Sequence, residues 1–268
     1  MGIETNVIYN TDCVEGLKTL PDKSIDITIT SPPYDNLRKY KGFSWDFESV
    51  AKELYRVTKD GGVVVWVVGD TTLNGDESGT SFRQALFFKE CGFKLYDTMI
   101  YEKSGCGACG SNRAYIQNFE YMFVLSKGIP KSINLIYDRE NKVVGEQNVN
   151  HHRDFYTTDS STGRKYRKIE TNKYGRRFNI WRYNQGNTRD EFAKQHPAPF
   201  PEALVKDHMI SWSNENDIVL DPFMGSGTTA KVALENNRKF VGFEISEEYC
   251  NLAKERIKNL ETNKVIST

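Results

Sequence analysis

The sequence predicts an α/β protein built on a doubly wound, mainly parallel sheet, and three observations lead there. Strand-like runs alternate with amphipathic segments over residues 1–126 and again over 191–268, the rhythm of βαβ units. Between them, residues 127–190 lose that periodicity and fill with charges, aromatic rings and amides. Near the carboxyl end, IVLDPFMGSGTTAKVALENNRKFVGFEIS (218–246) reads as a strand, a glycine turn, a helix and a second strand, a unit whose turn faces a ligand.

Taken in order, Ile3–Tyr9 is the first predicted strand. Ile25–Thr30 is the second, with Ile25, Ile27 and Ile29 alternating against polar residues at a strand's period. Val63–Val68 and Tyr121–Leu125 are apolar runs of strand length. Trp45–Thr58 and Ser81–Cys91 carry helical spacing, the first stopped by Gly61-Gly62. Regular structure resumes with a loop and a helix, Glu202–Trp212, followed by a short strand, Asp217–Leu220. A helix over Thr228–Asn236, a strand over Lys239–Glu244 and an amphipathic helix over Glu247–Leu260 complete the chain. Residues 1–126 and 191–268 then form two halves of one domain, and 127–190 form an insert.

The 268 residues suit one large domain, and 38% hydrophobic with 27% charged residues is an ordinary globular composition. No apolar run approaches the length of a membrane span. The amino terminus lacks the basic start and apolar centre of a signal peptide, and Asn6 breaks the myristoylation pattern that Gly2 would open. Five cysteines without a secretory signal point to reduced thiols in a cytoplasm. The net charge is zero, but that average hides an asymmetry. Residues 151–189 hold ten Lys or Arg against three acids, with Tyr156, Tyr166, Tyr174, Phe178, Trp181 and Tyr183 interleaved. A charge run alone is usually a solvated loop. Interleaved rings favour nucleic acid, with basic groups on phosphates and planar groups at bases. Arg164, Lys165, Arg167, Lys168, Arg176, Arg177 and Arg182 are the candidate DNA contacts, while Trp181 reads as a packing residue of the insert.

The second strand ends abruptly at Ser31-Pro32-Pro33-Tyr34. Each proline removes a backbone donor and fixes φ, giving a rigid turn where an open α/β sheet places its ligand. The glycine turn admits three readings. As a phosphate loop it fails, because Thr228 stands where lysine is required. As a dinucleotide fingerprint, Gly225-x-Gly227-x-x-Ala230 fits tolerably, which keeps a nicotinamide oxidoreductase open. As an S-adenosylmethionine loop, Asp221-Pro222-Phe223-Met224-Gly225-Ser226-Gly227-Thr228-Thr229 fits better.

Together, the two motifs resemble the amino-methylating DNA methyltransferases. Their order, with the tetrapeptide before the cofactor loop and a basic segment between, resembles the β subgroup. The resemblance covers most of the chain outside 127–190. It implies a Rossmann-like methyltransferase sheet with circularly permuted motif order, S-adenosylmethionine as cofactor and double-stranded DNA as partner. It also allows a homodimer and a cognate restriction endonuclease encoded elsewhere. Glu244 resembles the ribose-binding carboxylate, and Asp12 the acid near the adenosine, although Asp12 equally fits a helix cap. His196, in HPAPFPEAL, resembles the segment bordering the methionine end, or is a loop histidine. Phe223 fits either the loop or the core.

An exocyclic amine is a poor nucleophile because its lone pair is delocalised into the ring. Ser31 Oγ and the Pro32 carbonyl are candidate acceptors for the two amino hydrogens, held rigid by Pro33, and Tyr34 would stack on an everted base. Ser rather than Asp at the head of the tetrapeptide favours cytosine N4 over adenine N6 within the family. No Pro-Cys occurs, which argues against the carbon-5 class. A silent DNA-binding protein remains an alternative. Cys106 and Cys109 have metal-ligand spacing without a second pair, so the Gly-rich 104–113 stretch reads as a loop and no metal is expected.

Overall fold

The computed structural model describes residues 3–33, 45–104, 115–150, 166–184, 190–196 and 200–266. The elements are β1 (Val7–Asn10), α1 (Cys13–Thr19), β2 (Ile25–Thr30), α2 (Phe47–Val57), β3 (Thr58–Val68), a hairpin of β4 (Thr72–Leu73) and β5 (Asp76–Glu77), α3 (Thr80–Glu90), β6 (Lys94–Ser104) and β7 (Phe119–Ser126). Then come β8 (Arg139–Glu140), β9 (Gly145–Asn150), β10 (Tyr166–Thr171), β11 (Tyr174–Gly175), β12 (Ile180–Asn184), α4 (Glu191–Lys194), α5 (Glu202–Trp212), β13 (Ile218–Asp221), α6 (Thr228–Glu235), β14 (Lys239–Glu244) and α7 (Glu247–Ile266).

Eight strands form one sheet in the order β1-β14-β13-β2-β3-β7-β6-β12. Every neighbouring pair is parallel except the two made by β7, which alone runs the other way. The α/β class and the mainly parallel sheet are as the sequence predicts. The consequence for function is geometric. The carboxyl ends of β1, β2, β13 and β14 all reach the same edge, so Asp12, Ser31, Asp221 and Glu244 are gathered there despite their spread in sequence.

One face of the sheet buries Val64, Trp66, Val68, Phe123 and Leu125 against Leu17 of α1, Val50 and Leu54 of α2, and Phe88 of α3. Strand alternation sends Met122 to the opposite face, where it meets His208 of α5. Side-chain caps start two of the first helices. Asp12 Oδ1 accepts from the Val14 and Glu15 amides, and Asp46 from that of Ser49. Among the described residues no helix is long and apolar enough to cross a membrane.

The sequence pattern leaves β6 and β12 unassigned, and both lie at the outer side of the sheet. In β6 burial alternates over residues 94–101, but the residue types do not follow it, since Asp97 takes a more covered position and Tyr96 an exposed one, so neither an apolar alternation nor an apolar run marks it in the sequence. Trp181 and Arg182 therefore belong to the main sheet, through β12, rather than to the insert. Two compact units result, residues 1–134 with 179–268, and residues 135–178. The second unit is shorter than the expected 127–190. Among its described residues it holds two antiparallel pairs, β8 with β11 and β9 with β10.

Candidate functional site

The tetrapeptide and the glycine loop are neighbours because β2 and β13 are, with Val219 opposite Ile27 and Leu220 opposite Thr28. A hydrogen bond joins them directly. Thr30 Oγ1, one residue before Ser31, donates to Asp221 Oδ1 at 2.7 Å across 191 positions of sequence. Pro32 is buried, and Ser31 and Pro33 are half-buried. Tyr34 lies outside the described residues.

Asp221 organises the loop it opens. Its Oδ1 also accepts from the Phe223 amide at 3.0 Å, and its Oδ2 accepts from Thr229 Oγ1 at 2.7 Å. Burial pushes its carboxyl above the ordinary range, while the bonds from Thr229, Thr30 and Phe223 pull the other way. Pro222 is buried behind it. Phe223 is half-buried with its ring edge-on to Trp45 at 4.9 Å, so it packs on the core at the root of the loop. Gly225 (φ +53°) and Gly227 (φ +80°) adopt left-handed backbone that glycine tolerates without strain.

Glu244 closes the far side. Its Oε2 accepts from the Gly225 amide at 2.8 Å and its Oε1 from the Ser246 amide at 2.9 Å, which leaves each oxygen a further lone pair. Burial raises its pKa, against the pull of those two amides. β1 delivers Asp12 beside this strand, since the Thr11 amide donates to the Glu244 carbonyl at 3.1 Å. Asp12 is the cap of α1, with one carboxylate oxygen used for it. His196 is buried, its ring edge-on to Tyr249 at 4.6 Å. A Cβ on Gly225 would stand 3.1 Å from His196 Nε2, so this ring walls the loop at its glycine.

The predicted DNA contacts divide differently. Arg177 pairs with Asp138 within the second unit, and Arg182 pairs with Glu102 on β6 at 2.6 Å. Arg176 is exposed and its carbonyl accepts from Arg139 Nε. Arg167 and Lys168 sit on β10, whereas Arg164, Lys165, Cys106 and Cys109 lie outside the described residues.

Sequence reasoning missed Arg256. It is buried on α7 and donates to the Ser226 carbonyl at 2.9 Å and to Thr228 Oγ1 at 3.0 Å. The available signal was a lone charge on the apolar stripe of the last helix, beside Ala253 and Ile257.

The family model described as DNA methylase (N6_N4_Mtase) matches residues 25–255. The orphan methyltransferase M.BamHII of Bacillus amyloliquefaciens is 57% identical over 246 residues, covering 90% of this chain and 92% of that protein. PvuII DNA methyltransferase, cytosine-N4-specific, superposes with a TM-score of 0.67 at 20% identity, covering 97% of this chain and 92% of that one. The M1.HpyAVI–SAM complex gives 0.62 at 24% identity, covering 93% and 98%.

Proposed function

This chain belongs to the DNA methylase family whose model it matches over residues 25–255, and we propose that it moves a methyl group from S-adenosylmethionine to the exocyclic amino nitrogen of cytosine in duplex DNA. The observation that carries this reading is the Thr30–Asp221 bond, which ties the strand bearing the proline turn to the strand bearing the glycine loop. Acceptors for an amine and a cradle for a cofactor are thereby adjacent.

The loop suits an adenosyl ligand. Gly225 and Gly227 offer bare backbone for close approach, and Glu244 offers a carboxylate with unused lone pairs for a pair of ribose hydroxyls. Pro222, Phe223, Ser226, Thr228 and Thr229 shape that cradle, and His196 bounds it at Gly225. Asp12 faces the adenosine side. When bound, S-adenosylmethionine supplies an electrophilic methyl on a sulfonium. The chain's own part is to present the amine. Ser31 Oγ and the Pro32 carbonyl take the two amino hydrogens, localising the nitrogen lone pair, and the prolines hold both acceptors in place beforehand. Tyr34 stacks on the everted base. The basic residues of 164–182 bind the duplex through its phosphates, in a cytoplasm.

Ser31 is what favours cytosine. The test is to incubate the protein with S-adenosylmethionine and unmethylated mixed-sequence duplex, digest to nucleosides and weigh the products. N4-methylcytosine, lost at least about a hundredfold in Ser31→Ala, is expected. N6-methyladenine would keep the mechanism and overturn the base.

A further inference from the structure

Arg256 carries one of the most fully engaged buried charges among the described residues, and nothing in the reaction as drawn uses it. Its side chain is 2% exposed. Nε donates to Asp190 Oδ2 at 3.0 Å, and Nη2 stands 2.9 Å from the same oxygen while donating to Glu202 Oε1 at 2.7 Å. Nη1 spends both hydrogens on the glycine loop, at the Ser226 carbonyl and Thr228 Oγ1. Lys231 completes a quartet by donating to Asp190 at 3.0 Å and to Glu202 at 2.8 Å. Two cations thus balance two anions around the one fully buried member, Arg256.

The arrangement joins parts that the glycine loop needs in register. Asp190 caps α4 and Glu202 begins α5, so the two acids bracket residues 191–201, which include His196. The same guanidinium grips the loop that His196 walls. Lys231 reaches the same two carboxylates with its three donors, but the five N–H groups of the planar Arg256 fork hold both carboxylates, a backbone carbonyl and a hydroxyl at once in one fixed geometry.

We propose that Arg256 is a positioning residue for the cofactor loop: it locks the Ser226–Gly227 peptide to Asp190 at the start of α4 and Glu202 at the start of α5, in a single arrangement that binds S-adenosylmethionine. The inference rests on the proposed function, since it concerns the affinity of that same loop. It predicts that Arg256→Lys, which keeps the charge but loses the fork, weakens S-adenosylmethionine and S-adenosylhomocysteine alike by about tenfold. KM for the cofactor rises in step, kcat at saturating cofactor stays close to the parent's, and duplex affinity without cofactor is unchanged.

The experiment is calorimetric titration of both compounds into parent, Arg256→Lys and Glu202→Gln, with melting temperature measured on each. Val65→Ala, in the fully buried centre of β3, serves as a control of comparable destabilisation. Weakened binding in Arg256→Lys with a smaller loss in Glu202→Gln, and none in the Val65→Ala control, is expected. Parent-like affinity in a folded Arg256→Lys overturns the proposal. So does equal weakening in the control, which would mark a merely structural role. If Arg256→Lys does not fold, parent-like affinity in Glu202→Gln overturns it instead. A parent that binds neither compound defeats the proposed function itself, an outcome distinct from both.

Discussion

Under the proposed function, Glu244 serves structure and ligand with one side chain. The backbone amides of Gly225 and Ser246 fix its orientation, one on each carboxylate oxygen. Burial lifts its pKa above the ordinary glutamate value of 4.5. Its ionised form is the better acceptor for ribose hydroxyls, and protonation converts one oxygen into a donor. Cofactor affinity is therefore expected to fall on acidification, beginning at a higher pH than an ordinary glutamate would produce. Glu244→Gln should bind more weakly at neutral pH and lose this acid limb, which titrations of S-adenosylhomocysteine between pH 5 and 8 would read. A limb unchanged in the variant would assign it to another group. Asp221 differs in kind: at least three donors occupy its two oxygens, so its contribution is to hold the loop and join it to β2.

At the scale of the element, the β13–loop–α6 unit depends on two glycines for different reasons. Gly225 must stay clear of His196, and Gly227 combines a φ of +80° with a Cβ position 2.9 Å from Ala253 Cβ. Gly227→Ala thus meets both left-handed strain and a clash with α7, and is expected to cost about 3 kcal/mol. Gly75, in the β4–β5 turn, has a similar φ of +85° but nothing within 4 Å of its Cβ. Gly75→Ala should cost about 1 kcal/mol, from conformation alone. Denaturant unfolding of both variants separates the two effects; equal losses would show that α7 yields at no cost. The glycine loop, the helix Glu202–Trp212 and the strands Ile25–Thr30 and Lys239–Glu244 are legible in the sequence at their observed bounds, because each is framed by prolines, glycines or an unbroken period. β3 begins earlier than its apolar run, at Thr58, which pairs with Ile25 of β2 before a register shift carries the pairing on to Val63 opposite Ile27.

At the scale of the whole molecule, α5 clamps the sheet through a histidine kept neutral. His208 is fully buried, its ring 4.6 Å from that of Trp181 on β12, with Nε2 3.1 Å from Met122 Sδ on β7. Burial lowers its pKa to about 3. The unfolded imidazole protonates near its ordinary value of 6.5 and the folded one does not. Stability is therefore complete above pH 6.5 and is lost as pH falls towards 3, by about 1.4 kcal/mol per pH unit. His208→Leu should remove that slope while costing no more than about 1.5 kcal/mol at neutral pH. Unfolding free energies from pH 7 to 4 decide it, and an equally steep decline in the variant would refute the assignment. Asp190 acts lower on the scale. Burial alone would raise its pKa, but Lys231 and Arg256 hold it at about 2, so its contribution disappears only as pH falls from the ordinary aspartate value of 3.8 to about 2.

By itself, the sequence determined the α/β class, the two motifs and their order, because each is written in contiguous residues whose period, prolines and glycines act locally. It also marked the basic stretch, as composition alone suffices for that. Tertiary structure alone decided what depends on neighbours far along the chain. Thr30 meets Asp221 only because β2 lies beside β13. Arg182 faces Glu102 and Trp181 lies against His208 only because β12 joins the sheet beside β6. Arg256 reaches Ser226 for the same reason, since α7 folds back on the loop. A buried charge leaves little local trace: its partners, at residues 190, 202 and 231, become partners only when the chain brings them together.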